Sequence, residues 1–467
     1  MAEQLTGRQA MNAGLRKTRR LQACGWGFAL SAVLMTGSAC IEAQQLPPRP
    51  ESSEQPQQMW NAHGQATLVW QGHGRFRSPY EGENSLRGRG EGKETISITP
   101  SLGVRLLPNT AFYFNPEIFQ GFGLAGTHGL GGFANGEAQK GGSAEPQVYV
   151  ARAFFRHTFG FGGETEKVEG AFNQLGGTRD VSRLVVSWGR FSPKDVFDLN
   201  THASDARTDF LNYALWAAGA WDFSADQKGY GIGATTELNQ EHWAFRLGFF
   251  RQPIHSNAQS LSWDIGRQGQ LIAELELRYR LLEQAGTLRL LGWGARSNAG
   301  SYRQALLDPV FDPEASIRAT REIRTQYGYA LNLEQSLAPN LGFFARWSWR
   351  DAKADVMSWT DIDASVAAGI VISGAAWGRP GDEWGLAGAV NQLSRDHRDY
   401  VAAGGLGVTI GDGRLGYSAE RVLETYYAIG LSRELTMSLD YQLAINPAYN
   451  ADRGPVSLFA MRLRGAF

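Results

Sequence analysis

Between Gly269 and Leu282 the side chains fall into two sets. Leu271, Ala273, Leu275, Leu277, Tyr279 and Leu281 occupy odd positions, while Glu274, Glu276, Arg278 and Arg280 join Ile272 at even ones. Successive side chains of a strand point to opposite faces, so one face of this stretch is an apolar ladder and the other is charged; at helical spacing the sets would mix. Strands of soluble sandwiches are usually ~5–6 residues long, and this alternation runs more than twice that far. A strand crossing a bilayer at a steep tilt needs ~9–11 residues and turns its polar face to a water-filled lumen. The pattern therefore predicts an all-β chain folded as a closed antiparallel transmembrane β-barrel.

Alternating segments of the same kind place strands at 66–72, 94–106, 111–119, 147–159, 181–191, 229–239, 241–252, 269–282, 286–296, 325–337, 341–351, 364–374, 383–393, 422–432, 434–445 and 456–467. About sixteen strands is an even number, as closed bacterial barrels require. Even-numbered strands are followed by tight turns, at 107–110, Gln240, 283–285, 338–340 and Arg433. Odd-numbered strands lead into 73–93, 120–146, 192–228, 253–268, 297–324, 352–363, 394–421 and 446–455. Such segregation matches the short periplasmic turns and long extracellular loops of outer-membrane barrels. The segment 160–180 breaks the rule and is expected only as a periplasmic excursion.

Facing follows from parity. Trp243, Phe245, Leu247 and Phe249 would face lipid, as would Phe343, Trp347 and Trp349 and the Leu435–Leu443 ladder. The lumen would be lined by Arg246, Glu274, Glu276, Arg278, Arg280, Arg346, Asp440, Arg462 and Arg464. Within 192–228, the run Thr208–Ala218 is apolar and would be a liability in water, so folding it inward against the wall is favoured over an ordinary external lid. Asp195, Asp198, Asp205, Arg207, Asp209, Trp216, Trp221, Asp222 and Lys228 would then narrow the pore with mixed charge and aromatic surface.

Composition and the N-terminus sharpen this picture. Only 43% of the 467 residues are hydrophobic, and beyond residue 45 no apolar run is long enough for a helical span, whereas a polar lumen accommodates such a composition. The 57 glycines and 11% aromatics suit tight turns and interfacial girdles, although an extracellular all-β enzyme would share both biases. Residues 1–43 read as a signal peptide, with Arg16, Lys17, Arg19 and Arg20 ahead of the apolar run Leu21–Ala39 and a small-residue cleavage site after Ala43. Arg19-Arg20 also admits a twin-arginine route and Cys40 a lipoprotein signal; the general secretory route is preferred, because a barrel reaches its membrane unfolded. Residues 44–63, rich in Pro and Gln, read as a disordered periplasmic lead-in, and 64–467 as one barrel. Both cysteines lie in the signal segment, so thiolate metal sites, disulfides and cysteine nucleophiles drop out of the mature chain. Removing that segment, net +3, takes the chain from −1 to about −4, which gives no support to nucleic-acid binding. The string Gly121–Gly126 mimics a dinucleotide fingerprint without its strand–helix setting, no hydrolase or metal motif occurs, and no cofactor is expected.

Several stretches carry a family resemblance: Phe76–Tyr80 with Asn84-Ser85-Leu86, Asn115-Pro116-Glu117, Asn135-Gly136-Glu137, Arg207–Asn212, Gly219–Asp222 and Asn446–Pro455. In this order they resemble the carbohydrate-selective porins of the OprB type, from about Gly64 to Phe467. The resemblance implies a sixteen-stranded barrel in outer-membrane lipid that passes sugars into the periplasm, with a homo-oligomer left open. A chain ending on an aromatic, here Phe467, also resembles the signal read by the outer-membrane assembly machinery. A general or anion-preferring porin, and a structural barrel with a plugged lumen, are the alternatives.

Overall fold

The computed structural model describes residues 57–467; the expected signal segment 1–43 and residues 44–56 of the lead-in lie outside the described residues. In chain order the strands are β1 (Trp60–His73), β2 (Glu91–Leu107), β3 (Thr110–Gly121), β4 (Ser143–Gly160), β5 (Thr165–Val168), β6 (Gly177–Asp180), β7 (Arg183–Phe191), β8 (Gly231–Asn239) and β9 (Trp243–Phe250). They continue as β10 (Gly269–Leu281), β11 (Gln284–Ala299), β12 (Glu322–Ala338), β13 (Leu341–Arg350), β14 (Ala364–Ser373), β15 (Glu383–Gln392), β16 (Glu420–Gly430), β17 (Leu435–Ile445) and β18 (Val456–Ala466). All but β5 and β6 pair in one closed antiparallel barrel of 16 strands, and those two form a separate hairpin.

The two faces separate as parity requires. In β9 the outward Trp243, Phe245, Leu247 and Phe249 are exposed, and the inward Ala244, Arg246 and Phe250 are buried. Register puts opposite charges side by side on the inner face, as where Arg246 of β9 lies across from Glu274 of β10. Among the described residues no helix is long and apolar enough to cross a membrane. The apolar surface belongs to the outward strand faces, and the inner wall is polar.

Closure joins the two terminal strands. β1 pairs with β18 from Gln65↔Ala466 to His73↔Leu458, and Gly64 and Phe467 exchange backbone hydrogen bonds of 3.1 and 3.0 Å. The Phe467 ring lies over Gly64, 2.8 Å from where a Cβ would stand, so a larger residue there would push the ring aside. β1 starts at Trp60, so the barrel begins ahead of the expected boundary at 64 and the first strand is twice the expected length.

Long and short connections segregate to opposite ends of the barrel. Residues 108–109, 240–242, 282–283, 339–340 and 431–434 are short turns at one end; 122–142, 192–230, 300–321 and 393–419 are among the long loops at the other. The hairpin β5–β6 sits at the short-turn end, and its tip folds back into the barrel mouth. A hydrophobic core fills part of the lumen, where Phe197, Tyr213, Trp216, Trp221 and Phe223 of the long segment after β7 pack on Phe154, Phe191, Phe250, Ile272 and Trp293 of the wall.

The facing predicts unequal mutational costs on one strand. Leu439→Arg on the lipid face of β17 should cost roughly 2–4 kcal/mol near mid-bilayer, whereas Ser438→Ala, which removes one hydroxyl facing Arg462, should cost about 1 kcal/mol. Urea unfolding in lipid vesicles measures both, and equal costs would contradict the facing.

Candidate functional site: a constriction inside the barrel

The segment 192–230 enters the lumen as soon as β7 ends. Ser192 opens a capping box, its Oγ accepting from Lys194 N while its own N–H donates to the Asp195 carboxylate (2.9 Å). Arg152 of β4 clamps that carboxylate with two N–H donors, at 2.7 and 2.5 Å. Asp198 is the main anchor. Its carboxylate accepts from Arg346 of β13 (3.0 Å), Asn332 of β12 (2.7 Å) and the Ala218 N–H (2.8 Å), and pairs with Lys194 at 3.2 Å. Its own N–H donates to Glu274 of β10 (2.7 Å). Asp198 adopts a left-handed φ of 53°, which an Asp tolerates better than most residues and which these partners hold in place.

Other wall side chains hold the rest of the segment by its backbone. Glu424 of β16 accepts the N–H groups of Leu211 (2.5 Å) and Asn212 (3.0 Å), and Ser348 Oγ accepts that of Ala220 (3.0 Å). Arg462 of β18 donates to the carbonyls of Ala206, Asp209 and Thr208, at 2.6, 2.8 and 3.0 Å. Asn212 then caps the short helix Tyr213–Trp216. Backbone polar groups crossing the lumen are thereby satisfied by the charged inner wall.

A second segment, 122–142, closes in from the β3–β4 side. Gly136 N donates to Leu211 O (2.9 Å), and a Cβ at Gly136 would come within 2.7 Å of both Ala206 and the Trp216 ring, so the close approach requires glycine. Where the two segments meet, two cations and two carboxylates form one cluster. Arg207 lies 2.7 Å from Glu117 and 3.0 Å from Glu137, and Lys140 lies 3.3 and 2.7 Å from the same pair. The hydroxyls of Ser97 and Tyr149 donate to Glu137 and Glu117. Burial opposes every charge here, but Arg207 and Lys140 hold Glu137 below the usual carboxylate range.

Beside this cluster lies a cavity of about 90 Å³, lined by Glu137, Lys140, Arg152, Lys194, Asp195 and Arg207 together with Trp216, Phe223 and Tyr230. Its charges largely neutralise one another: Arg152 with Asp195, Lys194 with Asp198, and the four-membered cluster internally. Lys228 is the exception. Its Nζ donates to Lys140 O (3.0 Å) and sits 4.7 Å from the Tyr149 ring, and among the described residues no carboxylate lies within 4 Å of it. Burial pushes the Lys194 amine down to about 8, with Asp198 pulling the other way. Asp195 is shared with a second cavity of about 70 Å³, and Arg207 with a third of about 310 Å³ at the short-turn mouth, which Arg462 and Arg464 also line.

The expected site residues take three kinds of position. Asp195, Arg207 and Trp216 border the central cavity. Arg246, Glu274, Glu276, Arg346, Asp198, Asp209 and Asp440 are buried in the packing between wall and loop; Arg246 alone contacts Glu237, Glu274 and Glu276 at 2.5, 2.9 and 2.9 Å. Arg278 reaches Glu276 (2.7 Å) near the short-turn end, where Arg280 is exposed. Trp221 is fully buried among Phe197, Phe223 and Trp293, and Asp222 accepts three N–H groups from Met357–Trp359, so both fasten the segment to its neighbours instead of facing open space. Asp205 and Lys228, also expected in the narrowing, line the same cavity, whereas parity and loop reasoning miss Glu117, Glu137, Lys140, Arg152, Lys194 and Tyr230. The Asn115-Pro116-Glu117 and Asn135-Gly136-Glu137 motifs were the available signal for two of them.

A closed sixteen-stranded barrel with a polar inner wall and loops folded across its lumen is an outer-membrane porin. Residues 83–467 match the family of carbohydrate-selective porins, OprB family, and the chain belongs to it. It is 23% identical over 282 residues to porin AaxA of Chlamydia caviae; that alignment covers 60% of this chain and spans about half, 52%, of that relative's length. A solved structure of Pseudomonas putida OprB shares the fold with a TM-score of 0.66 at 15% identity, over 88% of this chain and 94% of that one.

The position of Lys194 predicts a pH dependence. With its amine lowered to about 8, it is a cation on the cavity wall below that pH and neutral above it. The chloride-to-potassium permeability ratio should therefore fall between about pH 6.5 and about pH 9.5. Reversal potentials in a salt gradient measure this; Lys194→Met should be low and flat, and a wild-type ratio as flat as that of the variant would contradict the assignment.

Proposed function

We propose that this porin carries sugars, monosaccharides or small oligosaccharides, by passive diffusion into the periplasm, with its long loops facing outside and its short turns facing the periplasm. The central cavity carries this reading. It offers a polar wall whose charges are mostly paired, so a neutral polyol is not required to compete with counter-ions, together with aromatic side chains, Trp216, Phe223 and Tyr230, in its lining for the apolar side of a sugar. Passage requires release, so the affinity expected is of millimolar order, about −4 kcal/mol. Nothing in this mechanism forms or breaks a covalent bond.

The general or anion-preferring alternative draws support from Lys228, the cavity cation lacking a close carboxylate. Single-channel recording with sugar titrated into the bath separates the two. The sugar reading predicts that glucose reduces ion current, that Trp216→Ala weakens the block several-fold, and that Trp221→Ala acts on stability, costing about 3–5 kcal/mol as for other buried aromatics. Current that ignores high concentrations of every neutral sugar would refute carbohydrate preference and leave the anion reading.

A further inference from the structure

The hairpin β5–β6 has no part in the constriction described above, yet it is built into the lumen. Ala171 and Gln174 exchange backbone hydrogen bonds of 2.8 and 3.0 Å around a left-handed Asn173 (φ 57°), which makes a tight turn. That turn points up into the barrel, and Asn173, Gln174 and Leu175 are only 5, 3 and 7% exposed. Inward side chains from four successive strands hold it. Asn61 of β1 donates to Gln174 O (2.7 Å), Ser101 of β2 to Asn173 Oδ1 (3.4 Å) and Arg156 of β4 to Asn173 O (3.0 Å), and Tyr113 OH of β3 accepts the Leu175 N–H (3.3 Å). Gln58, just ahead of β1, closes the other side, donating its N–H to Gly176 O (3.0 Å) and accepting the Gly176 N–H on its side chain (2.8 Å).

Between this turn and the constriction lies the second cavity, of about 70 Å³. Asp195 and Val196 of the long segment border it, as do Asn173 and Arg179 of the hairpin, with Arg156 and Glu237 from the wall. Arg156 sits over the rings of Tyr113 and Phe154, at 5.4 and 5.5 Å. Cations, carboxylates and aromatic faces therefore recur here on the periplasmic side of Asp195, which belongs to both cavities. A tight turn held by five strand or pre-strand residues is more than chain length demands, since neighbouring connections at this end need only two or three residues, such as 108–109 and 240–242.

We propose that the β5–β6 hairpin makes a second, exit-side filter in series with the loop constriction, and that the narrow chamber between them is a passage point for small neutral polyols. The identity of the solute rests on the sugar reading above, whereas the narrowing does not. The rival is a rivet that only braces the wall.

The test uses the full chain refolded into planar bilayers and liposomes, with heat-modifiable gel mobility as the check on barrel closure. Replacing 165–180 by a short Gly-Ser turn should raise open-channel conductance about twofold and speed the swelling of liposomes in disaccharide relative to glucose. Unchanged conductance and an unchanged disaccharide-to-glucose ratio would overturn the filter and leave the rivet. Should that variant fail to close, Asn173→Cys decides the matter. Methanethiosulfonate reagents of increasing size, added from the short-turn side, should lower conductance stepwise in proportion to their bulk, and modification without effect on current would overturn the proposal. If glucose fails to block the wild-type channel, the sugar reading falls, while the conductance of these variants still decides whether the hairpin narrows the path.

Discussion

A charge on the inner wall of a barrel must be paired or solvated, because an isolated ion in a low-dielectric surrounding costs several kcal/mol or more. In this porin the partner is largely the chain's own loop backbone. Arg346, Glu424 and Arg462 stand on three different strands and each holds loop carbonyls or N–H groups, with Asp198 as the acid that ties Arg346 and Lys194 together. The dependence is mutual. Without the loop these wall charges would lose their partners, and without the wall charges the loop's polar groups would cross the lumen unsatisfied.

That constraint also sets what is left for solutes. Wall groups consumed as anchors, such as Arg246 with its three carboxylates, offer nothing to a passing molecule. Open space survives where the two inward segments meet, and there most groups come from loop positions, Lys140, Lys194, Lys228 and Tyr230, joined by Arg152 from the middle of β4. If the cavity selects solutes as proposed, selectivity depends on how the loops are pinned, and a change at a buried anchor such as Asp198 acts on the cavity through position, not through contact.

Most of the barrel was legible in the sequence because lipid and lumen impose a period of two over long strands, as in Gly269–Leu281. β1 was read late because its opening residues, Trp60 to Gly64, include the polar inward Asn61 and a glycine that lies under the ring of Phe467, more than 400 residues away. The inward turn of 192–230 was legible from its apolar centre, but Trp221 was assigned to the pore surface because an apolar run does not say which of its rings faces the remaining space. Lys140 could not be told from a solvated loop charge. The polar hairpin at 165–180 carries no amphipathic signal; its place in the lumen depends on Asn61, Ser101 and Arg156, which only the closed barrel brings together.

If the pinned loops, and not the barrel wall, set the path, removing them must open it. The most direct measurement is the single-channel conductance of a barrel in which 199–226 is replaced by a short flexible linker, with glucose titrated into the bath. Conductance several-fold above wild type, with current no longer responding to glucose, is the predicted result. Wild-type conductance and an undiminished glucose response would contradict it.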